Sequence, residues 1–199
     1  DDTDDDSVKE EEEEKLNNAY FSLERRASNF AFIGGQSDHD TIEFVNDQER
    51  EEAKKFGYNQ RFEVYLNQAL RNPIQYMPKV YAIVENIERL PGKQLVYSNF
   101  VQYGTELISK VLKARGWVDI KDVISRKVVN PENYKCYALW DGDTDNNTKD
   151  SIKSLCNSII NLDGKYLKVV LGSPAMKEGI SFKHIQHYHM LDPVWNHST

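Results

Sequence analysis

The segment from Leu167 to Asn196 constrains what this chain can fold into more than any other. Lys168-Val169-Val170-Leu171 is a short apolar run closed by turn residues, the pattern of a buried strand. A turn-rich stretch follows, Gly172-Ser173-Pro174-Ala175-Met176-Lys177-Glu178-Gly179, and a second apolar alternation runs from Ile185 to Leu191 before Asp192-Pro193. Strand, glycine-bounded loop, strand is how an α/β domain presents a loop at the carboxyl ends of a parallel sheet, the edge where ligands bind.

The preceding residues supply the rest of such a sheet. Lys93-Gln94-Leu95-Val96-Tyr97-Ser98 is a β-rich run that leaves into a small polar loop at Ser98-Asn99. A helix is predicted from Gly104 to Arg115, with Leu107, Ile108, Val111 and Leu112 on one face and Gly116 as its stop. Residues 117–133 read as an irregular insertion containing Val123, Val128 and Val129. Tyr134 to Trp140 is a second strand, ended by Asp141-Gly142-Asp143, and Thr148 is placed to N-cap a helix through Ile152, Leu155, Ile159 and Ile160. The order from Lys93 is therefore β-α-β-α-β-β. Helices between the first three strands make those strands parallel neighbours with right-handed crossovers. The predicted fold class is α/β, a three-layer lobe with a mainly parallel sheet over 93–199.

Upstream the texture is helical. Asp47 to about Asn72 is rich in Glu, Lys, Gln, Ala and Leu, is divided at Gly57 and ends at Pro73. Pro78 opens a further helix with Val80, Ile83, Val84, Ile87 and Leu90 at helical spacing, and Pro91-Gly92 closes it. Tyr20 to Phe32 mixes aromatics with Arg25-Arg26 and ends at Gly34-Gly35; Thr41 to Val45 is a short extended piece. The predicted boundary lies near residues 73–92. It separates an acidic segment (1–17) and a helical lead-in (18–92) from the α/β lobe (93–199).

Charge sharpens this division. The net charge is -7, but residues 1–14 hold ten acids and one lysine, a local -9, so residues 15–199 carry +2. The acidic head reads as a disordered, self-repelling segment. A hydrophobic content of 39% is enough for one core in the remainder. Cys136 and Cys156 have no paired spacing and fit reduced, core-packed thiols of an intracellular protein. No apolar run approaches the ~18 residues of a membrane span. The acidic N-terminus without an initiator Met, and an end at Asn196-His197-Ser198-Thr199, are read as the ends of a fragment of a longer protein.

The sequence has no GxxxxGK[ST] phosphate loop, no GxGxxG after a strand, no GxSxG elbow and no HExxH. What it does have is polar loops at three strand exits: Ser98-Asn99, Asp141-Gly142-Asp143, and Ser173 through Ser181. Small hydroxyls, amides and backbone N–H groups there can donate to phosphate oxygens and position a nucleic-acid backbone without reading its sequence. The same residues also make ordinary turns, and spacing alone leaves both readings open. His184, His187, His189 and His197 cluster without a cysteine or carboxylate at ligand spacing, so they read as partly buried imidazoles on an edge strand, not as a metal site. Trp140 and Trp195 read as packing residues, since neither lies in a basic, aromatic-interleaved groove.

Gly172 to Phe182, followed by His189-Met190-Leu191-Asp192-Pro193-Val194-Trp195-Asn196, closely resembles helicase motif V and the strand after it. The resemblance is to superfamily II helicases of large nucleocytoplasmic DNA viruses, the group of nucleoside triphosphatase I and early-transcription-factor-like ATPases, distantly Snf2-like. Lys93 to Phe100 resembles the motif IV strand, Gly104 to Gly116 its helix, and Arg25 to Phe30 the segment that joins two helicase lobes. The resemblance covers about residues 18–199 and implies a second RecA-like lobe with its lead-in. By the same resemblance Ser173 touches a nucleic-acid phosphate, and Ser98 and Asn99 lie over the nucleic-acid track; Gly142, at the neighbouring strand exit on the same edge, is the further nucleic-acid candidate. Glu178, Gly179 and Ser181 would face the ATP cleft, with Ser181 where related helicases often place an acid on the ribose.

The family's first lobe and its motif VI helix with the arginine finger are not in this sequence. A finger of that kind is worth roughly 10³–10⁵ in rate in related systems. The expectation is therefore a parent protein that uses ATP and Mg²⁺, and a fragment that binds neither alone and is inactive. The implied partners are a DNA or RNA backbone, the missing first lobe and viral transcription machinery, with no membrane, in the host cytoplasm or the virion. The competing expectation is a non-catalytic RecA-like module that scaffolds transcription partners.

Overall fold

The structure, a computed structural model, describes residues 28–31, 66–125, 133–176 and 180–192. The acidic head, Arg25-Arg26, the piece from Thr41 to Val45, most of the 47–72 helix, Val128, Val129, Glu178, Gly179, Trp195 and His197 lie outside the described residues.

Prolines set the described helices in motion. Helix α1 (Pro73–Tyr76) and helix α2 (Pro78–Arg89) each open on proline, where the missing N–H is an orphan anyway and the fixed φ suits a first turn. Pro73 thus starts a one-turn helix; the helical residues before it have already ended in the turn at Leu70–Asn72. Val80, Val84 and Ile87 form the buried stripe of α2. Each such side chain contributes about 1.5–3 kcal/mol when fully buried. Gly92, at φ 76, takes the left-handed turn that releases the chain into strand β1 (Lys93–Tyr97).

The helix expected from Gly104 begins earlier, as one wide π-helical turn over Val101–Glu106, and continues as α3 (Leu107–Ala114). The insertion expected at 117–133 is partly ordered. It contains a two-residue strand, β2 (Val118–Asp119), and a short helix, α4 (Ile120–Ile124), N-capped by the Asp119 side chain on the Lys121 N–H at 2.9 Å. Two residues are too few for a period-2 signal, which is why this strand is invisible in the pattern.

Strand β3 (Cys136–Trp140) leads to α5 (Asn146–Asn157). The cap of α5 is Asp145, not Thr148: its carboxyl accepts from the Thr148 N–H at 2.9 Å and the Thr148 hydroxyl at 2.6 Å. The helix stops at Asn157, so Ile159 and Ile160 fall in a separate 3₁₀ turn and are 84% and 61% exposed. Strands β4 (Val169–Gly172) and β5 (Ile185–Met190) complete the sheet.

The sheet is wholly parallel, in the order β2-β3-β4-β1-β5. β4 lies between β1 and β3, and the chain leaving β4 crosses past β1 to form the far edge. Alternation along each strand divides the core. On one face Val96, Tyr137, Val169 and Leu171 pack with α2 and α3. On the other, Cys136, Ala138, Trp140 and Val170 pack with Ile120 of α4 and with Ile152 and Cys156 of α5. Both cysteines are buried free thiols. Phe30, Leu66, Ala69 and Met77 of the lead-in pack into the first core together with α2, α3 and the sheet.

Buried polar groups staple the layers. Lys93, 1% exposed, donates its Nζ to the carbonyls of Cys156 and Lys183, both at 2.7 Å. The first of these lies in the last turn of α5, where the helix dipole favours a cation. Gln94 donates to the Ile87 and Leu90 carbonyls at 3.0 and 3.1 Å, satisfying the end of α2, and its Oε1 meets His189 Nε2 at 2.8 Å. No helix among the described residues is long and apolar enough to cross a membrane.

Candidate nucleic-acid interface

The exits of β3, β4 and β1 stand side by side, because the ladder continues one residue past each strand end. The Ser98 N–H donates to the Gly172 carbonyl at 3.0 Å, and the Ser173 N–H to the Trp140 carbonyl at 3.2 Å. Ser98-Asn99, Asp141-Gly142 and Ser173-Pro174 therefore occupy one edge.

At the β1 exit, strand alternation sends Ser98 inward. Its side chain is fully buried and its hydroxyl donates to Asp192 Oδ2 in a short hydrogen bond while accepting from the Phe100 N–H at 3.1 Å. Asp192 directly follows Leu191, whose N–H extends the β1–β5 pairing to the Tyr97 carbonyl at 2.9 Å. The buried Asp192 carboxyl also accepts from Asn29 Nδ2 at 2.6 Å and from the Asn99 N–H at 3.2 Å. Asn29 donates in addition to the Tyr103 carbonyl at 3.1 Å. One carboxyl thus ties the lead-in segment, the β1 exit and the β5 exit together. Gly104 of the π turn closes over it: a Cβ there would come within 2.0 Å of Ser98 Oγ. Asn99, half-buried, accepts from the Tyr97 hydroxyl on its Oδ1 at 3.1 Å.

At the β3 exit, Asp141 is buried and its Oδ1 accepts from the Thr144 N–H at 2.8 Å, making the turn that the residue type suggests. Gly142 is exposed, with open space where a Cβ would stand. The electrostatics here are negative. Burial raises the Glu106 carboxyl above its ordinary range, and the nearby Asp141 and Asp143 raise it further.

At the β4 exit, Ser173 is buried and its hydroxyl donates to the Trp140 carbonyl at 3.3 Å and accepts from the Ala175 N–H at 3.3 Å. Phe182, returning along the crossover, meets Trp140 edge-on at 5.4 Å between ring centroids. The far limb is clamped to the end of α5. Asn157 donates to the Ser181 carbonyl at 2.9 Å and accepts from the Lys183 N–H at 2.7 Å. His184, at φ 59, turns the chain into β5. Ser181 is exposed, while Glu178 and Gly179 lie outside the described residues.

His187 and His189 share the face of β5 turned toward α2, and no metal-holding group of three or more His, Cys, Asp or Glu occurs among the described residues. Asp192, Asn29 and Tyr97 are the site residues that the sequence reading did not single out. The available signal was Asp192 itself, an acid that ends an apolar alternation and precedes a proline.

No family model matches the chain. It is 34% identical over 125 residues to a candidate ATP-dependent RNA helicase of Acanthamoeba polyphaga mimivirus, an alignment covering 62% of this chain and 21% of that protein. It is 26% identical over 147 residues to the termination factor NPH-I homolog of an African swine fever virus isolate, covering 60% of this chain and 21% of the relative. The chain is homologous to helicases and NPH-I termination factors of large DNA viruses. A candidate helicase of Invertebrate iridescent virus 3 is 37% identical over 106 residues, covering 52% of this chain and 10% of that protein. The chain spans about a fifth of the length of the first two relatives. This relationship bears out the resemblance to helicases of large DNA viruses, and the parallel α/β sheet is the fold that resemblance implies.

Proposed function

We propose that the chain is the second RecA-like lobe, with its lead-in, of a viral ATP-dependent helicase or translocase that moves along a DNA or RNA backbone during transcription. The observation that carries this reading is the alignment of three polar strand exits on one edge, with Asn99, Gly142 and the Ser173 turn side by side. In this reading the nucleic acid lies across Ser98-Asn99, Gly142 and Ser173. The two serine hydroxyls are already bonded to Asp192 and Trp140, so their role is to shape the turns. The Asn99 amide and the exposed backbone at Gly142 are left to meet phosphates.

By the family resemblance Glu178, Gly179 and Ser181 face the ATP cleft. The sequence has no GxxxxGK[ST] phosphate loop, so in this reading ATP and Mg²⁺ are held by residues of the family's first lobe. ATP supplies the free energy of lobe closure, and this chain's contribution is to carry its phosphate-gripping edge with that closure.

The acidic Glu106, Asp141 and Asp143, with the +2 balance of residues 15–199, favour a second reading, a non-catalytic module that scaffolds transcription proteins. Salt-titrated binding of single-stranded oligonucleotides separates the two. The helicase reading expects weak, sequence-independent binding whose logarithm falls linearly with log salt, weakened by Asn99→Ala with Ser173→Ala, and no ATP hydrolysis by the chain alone. Binding indifferent to salt and to both substitutions would establish the scaffold instead.

A further inference from the structure

Strand geometry sets up an arrangement at the β1 exit that neither motif resemblance nor turn chemistry explains. Tyr97 ends β1 and its hydroxyl reaches Asn99 in the exit turn, so their side chains meet, while the Ser98 hydroxyl bonds Asp192 instead. Ser98 goes into the buried Asp192 cluster; Tyr97 and Asn99 go to the other side. There the Leu95↔Tyr188 and Tyr97↔Met190 register leaves Tyr188 and Met190 exposed beyond the cover of α5. Asn99 is held from two directions, its backbone N–H by Asp192 at 3.2 Å and its Oδ1 by the Tyr97 hydroxyl at 3.1 Å.

A carboxamide has one acceptor end and one two-donor end. With the acceptor end engaged by Tyr97, the donor end is the one presented, and Asn99 Nδ2 has no partner among the described residues. We infer that Tyr97 is a positioning residue for nucleic-acid binding: its hydroxyl orients Asn99 so that Nδ2 faces a phosphate oxygen, while Asp192 fixes the backbone from behind. The inference rests on the reading of Asn99 as a phosphate contact. Its physical basis is preorganisation. A free asparagine must be immobilised and turned at the moment of binding, whereas one already bonded to Tyr97 has lost that freedom beforehand.

The test measures anisotropy of labelled oligothymidylate and oligouridylate with the wild-type chain and the variants Tyr97→Phe, Asn99→Ala and the double variant, each with its melting temperature. Tyr97→Phe removes one oxygen from a half-buried ring and keeps the ring's packing. It is expected to weaken binding by about three- to tenfold, the loss of one oriented side chain. The salt slope should stay unchanged, because no cation is removed. Asn99→Ala should weaken binding at least as much, and adding Tyr97→Phe to it should do nothing more. A merely structural Tyr97 would lower the melting temperature and add its loss to that of Asn99→Ala. Normal binding by Tyr97→Phe beside weakened binding by Asn99→Ala overturns this inference and leaves the Asn99 contact standing. Normal binding by Asn99→Ala, or none by the wild type, overturns the contact and the inference together.

Discussion

The exits of β1 and β4 are neighbours on one edge, yet they are held by different physics. The β1 exit is short and its polar groups converge on a buried carboxyl, with Ser98, Asn99 and Asn29 all donating to Asp192. The β4 exit must carry the chain past β1 to a parallel strand, and a parallel connection needs a long crossover. It is secured at its two ends, by Ser173 on the Trp140 carbonyl and by Asn157 on the limb at Ser181 and Lys183. The first exit is a rigid point of the lobe. The second is a span between two clamps, as suits a loop proposed to meet nucleic acid at one end and ATP at the other.

The sharpest way to break this comparison is to remove each anchor in turn. Asp192→Ala removes the acceptor shared by the buried Asn29 amide, the buried Ser98 hydroxyl and the half-buried Asn99 N–H. At about 1–3 kcal/mol per unsatisfied group, with partial relaxation, a loss of about 3–5 kcal/mol is expected in urea denaturation. Asn157→Ala frees two partly solvated bonds and should cost about 1 kcal/mol, with faster proteolysis confined to the crossover. Comparable losses from the two variants would remove the distinction between a rigid exit and a clamped span.

Next in size are two glycines. Gly104→Ala places a Cβ 2.0 Å from Ser98 Oγ and 2.7 Å from Ser98 Cβ, and overpacking of this kind costs about 1–3 kcal/mol. Gly142→Ala meets open space, and its expected effect lies within about 0.5 kcal/mol. Thermal melts of the pair check whether the tightness of the edge is confined to the β1 side.

Much of this was legible in the sequence, for identifiable reasons. Strands β1, β3, β4 and β5 and helix α2 carry apolar runs long enough for their period to show, and the glycines at 92 and 116 mark stops that the structure places at positive φ. The three polar exits were also legible, because a parallel sheet puts all its carboxyl ends on one edge. The order in which β4 enters between β1 and β3 was not, since pairing is settled by long-range packing. The division of labour inside each exit was hidden for a related reason. Nothing local in Ser98-Asn99 says which residue faces in, until Asp192, a strand away in space and 94 positions on from Ser98, claims the serine. Ile159 and Ile160 misled because their spacing continues the α5 stripe, while the helix itself has already stopped at Asn157.

The smallest expected effect concerns pH and tests the β5 side of the rigid exit. Burial lowers the His189 imidazole below its ordinary value, and the neighbouring His187 lowers it further. The groups facing it are His187 on its own strand and the Gln94 amide of β1, whose oxygen meets Nε2 at 2.8 Å. Between the folded and unfolded values the unfolded chain binds more protons, so stability rises with pH there. The contribution is intact above about 6.5, declines as the pH falls below that value, and is fully lost below the lowered folded value. Glu88 separates cleanly from this. Its burial opposes ionisation, but hydrogen bonds from Trp117 and Arg115 and the charges of Arg115 and Lys135 outweigh it and hold the carboxyl below its ordinary range. Its stabilisation therefore fades only at more acid pH. Urea midpoints between pH 7.5 and 5 should fall gently for the wild type and fall less for His189→Gln, which keeps a donor for Gln94 and cannot titrate. An equal slope in both would move the titration to another group and leave the β5 edge without a proton-sensitive contact to β1.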